Sequence, residues 1–250
     1  MMALQHESRS QKRHAIITRD DPTSPVAEAF RTLRTNLQFA GLDEPLRKLL
    51  VTSAGPGEGK TTTAANLAVA VAQSGSRVFL IGADLRRPTV HQFFGIPNDI
   101  GVTNVLTGVV PWQEALRPTD VDELYILPSG PVPPNPAELL ASERMRSLLD
   151  ELAEHTDLLI LDAPPVIAVT DAGVLSRLVD GTLLVVSAGL TPREIAKAAK
   201  EQLERVGARI LGIVVNRLNE QSGYYYYYYH HYYAEEKTET GGPLAALRRL

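Results

Sequence analysis

Residues 49–63 read Leu-Leu-Val-Thr-Ser-Ala-Gly-Pro-Gly-Glu-Gly-Lys-Thr-Thr-Thr, and they decide the fold. A short apolar run breaks at Ser53 into a loop holding Gly55, Gly57 and Gly59. The chain then turns Ala-rich over Thr62–Gln73, with Gly75 just beyond. This is a strand, a loop and a helix stopped by a glycine suited to a C-terminal cap. Glycines let backbone N–H groups converge on one anion, and the helix start adds the positive end of its dipole. The spacing from Ala54 to Thr61 is that of a phosphate-binding P-loop, with Ala54 where the pattern opens on Gly. Lys60 then supplies a point charge to the phosphates and the Thr61 hydroxyl a ligand for Mg2+. A glycine-rich turn that merely caps a helix is the alternative, and the flanking strand and helix speak against it.

Outward from this unit, apolar runs recur between helical patterns. Strands are expected at Leu49–Thr52, Arg77–Ile81, Leu124–Leu127, Leu158–Leu161, Thr182–Val186 and Ile210–Val215. Runs without polar alternation suit strands buried on both faces. Helices are expected over Thr62–Gln73, over Glu138–Ala153, and from Thr191-Pro192 up to Gly207. Strands alternating with helices imply parallel crossovers. The expected fold is α/β, a mostly parallel sheet flanked by helices on both faces, of P-loop NTPase architecture. Its domain covers residues 21–218, with a basic, mobile leader at 1–20 and a flexible tail at 219–250. Pro128–Pro136 is too proline-rich for a helix or an inner strand and reads as a loop.

Composition narrows the function. Lys and Arg number 25 against 29 Asp and Glu, a net charge of −4, which argues against a general nucleic-acid binder. Cys is absent, excluding thiol nucleophiles, disulfides and Cys-ligated zinc. No apolar run approaches the ~20 residues needed to span a bilayer.

A P-loop needs a carboxylate at the tip of a neighbouring strand. Leu158-Leu159-Ile160-Leu161 delivers Asp162 to the carboxyl end, where ligands sit in open α/β sheets. A second strand leads through Gly82-Ala83 to Asp84-Leu85-Arg86-Arg87-Pro88. Either Asp can hold metal or take a proton beside a terminal phosphate. Helix N-caps, or for Asp84 an ion pair with Arg86 or Arg87, are the competing roles.

With these residues in place, the chain resembles the bacterial tyrosine kinases of polysaccharide export over roughly residues 24–233. Ser53–Thr61 is similar to the family's Walker A, Asp84–Pro88 to its A′ motif, and Leu158–Pro165 to its Walker B. Leu127-Pro128-Ser129-Gly130-Pro131 with Pro133-Pro134-Asn135-Pro136 resembles the loop before its Leu-rich helix. Glu28, Arg31 and Arg34, spaced by three, match the motif on the oligomerisation helix, 24–40, that holds members in rings. The C-terminal tyrosines Tyr224, Tyr225, Tyr226, Tyr227, Tyr228, Tyr229, Tyr232 and Tyr233 match the autophosphorylation cluster.

The resemblance implies an ATP-dependent tyrosine kinase working in trans within a homo-oligomer to regulate capsular or exopolysaccharide synthesis and export. ATP and Mg2+ would sit on Gly55, Gly57, Glu58, Gly59, Lys60, Thr61 and Thr62, with Asn216 and Arg217 at the base. Asn216 capping a turn is the alternative for that residue. Thr61, Asp84 and Asp162 would hold the metal. Lys60, Asp84 and Asp162 would be catalytic, and Asp84 the leading candidate base for the acceptor phenol. Implied partners are a transmembrane co-polymerase that activates the kinase and a tyrosine phosphatase, with no nucleic acid. The implied place is the cytoplasm, at the inner face of the plasma membrane through a partner or a preceding segment. One departure stands out: Gly82 occupies a position that is usually acidic in the family. Two rivals follow, a partitioning-type ATPase and a nucleotide-gated assembly protein with little kinase activity. Against the first, Gly55 stands where such ATPases carry a second Lys.

Overall fold

The computed structural model describes residues 16–42 and 44–218. The strands are β1 (Lys48–Ser53), β2 (Val78–Gly82), β3 (Arg117–Pro118), β4 (Leu124–Leu127), β5 (Leu158–Asp162), β6 (Gly181–Ser187) and β7 (Ile210–Asn216). They form one sheet in the order β3-β4-β2-β5-β1-β6-β7, parallel throughout except for the β3–β4 pair. The α/β expectation holds, and all six expected strands are present. Only the two-residue β3 was not foreseen, because it is too short to carry a periodic signal.

The helices are α1 (Ile17–Asp20), α2 (Pro25–Ala40), α3 (Lys60–Ala72), α4 (Val90–Phe94), α5 (Val102–Leu106), α6 (Trp112–Ala115), α7 (Pro136–Leu140), α8 (Glu143–Glu154), α9 (Asp171–Ser176) and α10 (Arg193–Arg205). Because β1, β2 and β5 bury nearly every residue, successive side chains feed two cores. Leu49, Val51, Leu80, Ile160 and Leu183 pack with Leu67 and Val69 of α3 and Leu37 of α2. Leu50, Ile81, Leu161 and Leu184 pack with Met145 and Leu149 of α8, Leu175 of α9 and Leu203 of α10. Each fully buried Leu contributes about 1.5–3 kcal/mol, so the two layers fix the strand ends that carry the loops.

Two expectations shift. The Leu spacing from 138 to 153 predicts one helix, but the chain breaks after Leu140. Ser142 then caps α8 afresh, its hydroxyl accepting from the Met145 amide at 3.2 Å. The leader expected to run to residue 20 joins the body by Ile16. That side chain is fully buried, and Thr18 bonds to Asn66 of α3 through both its amide (3.0 Å) and its hydroxyl (3.1 Å). Among the described residues no helix is long and apolar enough to cross a membrane. The tyrosine cluster at 224–233 lies outside the described residues.

Candidate active site

Strand register sets the site. Asp162, last in β5, pairs with Val51 of β1 on one side and with Gly82 of β2 on the other. The loops after β1, β2 and β5 therefore open onto the same edge, the carboxyl end of the parallel sheet. In the loop after β1, Gly57 and Gly59 take φ of 74° and 97°, which L side chains rarely adopt. A Cβ on Gly59 would stand 1.9 Å from Asn216 Nδ2, so only glycine fits there. α3 begins at Lys60, directly behind this turn.

Four of the expected residues converge. Lys60 Nζ lies 2.9 Å from Asp84 Oδ2 and 3.3 Å from Asp162 Oδ1. Thr61 donates its hydroxyl to Asp162 Oδ2 at 2.8 Å. The side chains are 11%, 6% and 0% exposed for Lys60, Asp84 and Asp162, so these charges meet largely out of water. Burial works against the Lys60 ammonium, but the charges of Asp162 and Asp84 outweigh it and hold its pKa above the ordinary lysine value. Burial pushes the Asp162 carboxyl above the usual range. Asp84 adds to that rise, while Lys60 and the Thr61 hydroxyl oppose it. The causes differ: two carboxylates sharing a single ammonium raise Lys60, whereas burial is the main reason for the rise at Asp162.

The loop carrying Asp84 is fastened in its own right. Asp84 Oδ1 accepts from the Arg87 amide at 3.0 Å. Arg86 does not pair with Asp84. Its guanidinium grips Asp171, at the start of α9, through two bonds of 2.8 and 3.0 Å. Gly82 is crowded: a Cβ there would meet Ser129 Oγ at 2.6 Å and Ser129 N at 3.0 Å, and that hydroxyl donates to the Gly82 carbonyl at 2.7 Å. An acidic side chain at 82 would need the Pro128–Gly130 segment to give way.

Other expected residues are placed differently. The Glu58 side chain is buried, its Oε1 accepting from Thr191 Oγ1 at 2.6 Å. Asn216 Nδ2 donates to the Glu58 carbonyl at 3.0 Å and so ties β7 to the P-loop. Arg217 follows with φ of 56°. Gly55 accepts the Ser53 hydroxyl at its carbonyl, at 2.7 Å, and Thr62 is half-buried on the first turn of α3. On α2, Arg31 pairs with Glu28 of its own helix and donates to the Pro22 carbonyl, while Arg34 donates to the Ala70 carbonyl of α3 at 2.9 Å. Thr89 and Asp171 were not singled out from sequence, and Thr191 only as a helix start. Their partners lie 28, 85 and 133 residues away, and no local pattern marks such pairs.

The donor set suits a hard cation. Two carboxylates and a hydroxyl beside a phosphate cradle match the ligands of magnesium, which uses one or two carboxylates with substrate phosphates. Among the described residues no three His, Cys, Asp or Glu side chains gather as an all-protein metal cage.

Comparison with known proteins bears on this geometry. Residues 46–223 match the ParA family described as NUBPL iron-transfer P-loop NTPase. Tyrosine-protein kinase YwqD of Bacillus subtilis is 44% identical over 225 residues, covering 89% of this chain and 95% of its own. The solved chimerical protein CapA2B2 superposes with a TM-score of 0.79 at 39% identity, over 81% of this chain and 89% of that one. The kinase domain of Escherichia coli tyrosine kinase ETK gives 0.77 at 35%, over 85% and 87%. A nucleotide-binding P-loop fold and near-complete alignment with YwqD lead to one placement: the chain belongs to the bacterial tyrosine kinases.

Proposed function

We propose that this kinase transfers the terminal phosphoryl group of ATP to tyrosines 224–229, 232 and 233 of a neighbouring copy in a ring. The observation that carries the reading is the Lys60 ammonium held between Asp84 and Asp162 with the Thr61 hydroxyl beside them. Lys60 is preloaded with two anionic partners and exchanges them for phosphate oxygens. Asp84, whose side chain is 6% exposed against 0% for Asp162, is the carboxylate proposed to take the phenol proton. A tyrosine titrates near ~10, so it needs such an acceptor to react at neutral pH. Mg2+, held by Thr61, Asp84 and Asp162, supplies charge neutralisation on the phosphates when bound. Asn216 and Arg217 are the residues proposed to meet the base, and Glu28, Arg31 and Arg34 those proposed to carry the ring contact. A transmembrane polysaccharide co-polymerase would activate the kinase at the inner face of the plasma membrane, and a tyrosine phosphatase would reset it. The output is control of capsular or exopolysaccharide export.

The glycine at 82 favours one other reading, nucleotide-gated assembly with low turnover, because the metal has one carboxylate fewer. Incubation with Mg-ATP and phosphotyrosine detection separates the two. Wild type should label strongly. Lys60→Met, and a chain with tyrosines 224–233 changed to Phe, should stay blank, the latter still binding nucleotide. A blank wild type that still assembles on ATP would make gated assembly the function.

A further inference from the structure

Thr61 is the hub of the metal side of the site, and its atoms can be accounted for one by one. A hydroxyl has one proton and two lone pairs. The proton goes to Asp162 Oδ2, 2.8 Å away, because a carboxylate can only accept. The Lys60 ammonium, 3.3 Å away, faces one lone pair. The remaining neighbour is Thr89 Oγ1 at 3.1 Å. With the Thr61 proton committed, Thr89 must be the donor. Thr89 stands at the N-cap of α4, where a threonine hydroxyl ordinarily bonds to its own helix, yet here it makes no capping bond. It reaches 28 residues back to Thr61 instead.

From this we infer that Thr89 is a positioning residue for the cation, its hydroxyl fixing the Thr61 oxygen so that one lone pair is left aimed at the metal. The inference rests on the Mg-nucleotide reading given above. A threonine near a helix start can also turn its Oγ1 toward the preceding turn. The bond from Thr89 removes that freedom, and the lone pair now facing Lys60 is the one a divalent ion would take. Thr89 lies on the same loop as Asp84, five residues on. One loop thus brings a carboxylate to the lysine and a hydroxyl to the threonine.

The test is the affinity of the full chain for a fluorescent ADP analogue, titrated with Mg2+ and repeated in EDTA. Thr89→Val keeps the shape and removes the donor. It should raise the Mg2+ concentration for half-maximal tightening about three- to tenfold, the range expected for one lost hydrogen bond. Affinity in EDTA should stay unchanged, and Thr89→Ser should restore the wild-type Mg2+ response. If Thr89→Val does not fold, Thr89→Ala is read in the same way. An unchanged Mg2+ requirement overturns the inference. So does an equal loss with and without metal, which marks a purely structural role. If wild type itself shows no Mg2+-dependent nucleotide binding, the parent reading fails and this one with it.

Discussion

Lys60 illustrates how a buried charge is held by its partners. Its ammonium is buried against two carboxylates, and removing it leaves both without their cation. Orphaning buried charge is costly, so Lys60→Met should lower the nucleotide-free stability by about 3 kcal/mol, or roughly 6–12 °C in Tm. Adding Asp162→Asn removes one of the two stranded charges and should recover much of that loss. Thermal unfolding without nucleotide tests this, and a double variant no more stable than Lys60→Met would show that the carboxylates are not the source of the cost. Lys60, Thr61 and Asp162 were legible in sequence because a strand, a loop and a helix start pin their places. Thr89 and Thr191 were not, since each acquires its meaning only when a distant segment folds beside it. Glu58 was legible as a P-loop residue, but its side chain turns into the body, which spacing cannot reveal.

At the scale of elements, the apolar runs announced the inner strands because burial on both faces leaves no polar alternation. The break between α7 and α8 was hidden, since the Leu spacing continues through it and only Ser142 marks the new start. The loop between β2 and α4 depends on a clamp that the sequence leaves ambiguous: Arg86 could have paired with Asp84, but it holds Asp171. The two partners are unequal, Asp171 being 0% exposed and Arg86 39%. Loss of Arg86 strands a fully buried carboxylate, whereas loss of the Asp171 charge leaves a guanidinium that water can still reach. Arg86→Ala should therefore cost about 2–3 kcal/mol and Asp171→Asn about 1 kcal/mol. Chemical denaturation of the two variants measures the difference. The reverse order would mean that the clamp is not governed by burial.

For the whole molecule, assembly is the property a single chain reveals least. The spacing of Glu28, Arg31 and Arg34 suggested one charged face, but the structure divides their tasks. The Arg31–Glu28 pair is about one-third exposed on both sides, such pairs contribute about 0–1 kcal/mol, and the other Arg31 bond, to the Pro22 carbonyl, is solvent-exposed. Arg34 instead spends a donor on α3 of its own chain. Arg31→Ala should then lower the mass measured by light scattering while leaving Tm nearly unchanged. Arg34→Ala should also lower Tm, by the loss of one hydrogen bond worth about 1 kcal/mol. A mass unaffected by Arg31→Ala would remove that residue from the ring contact.

Ile16 and Thr18 fasten the first described residues to the helix that starts at Lys60. Thr18 holds Asn66, and Gln73 holds the Thr18 carbonyl at 3.0 Å, so the thread is knotted to α3 at two points. That helix runs 13 residues, about 20 Å at its usual rise, and its other end is Lys60. Residues 16–18 are thus anchored to the same helix whose first residue is Lys60.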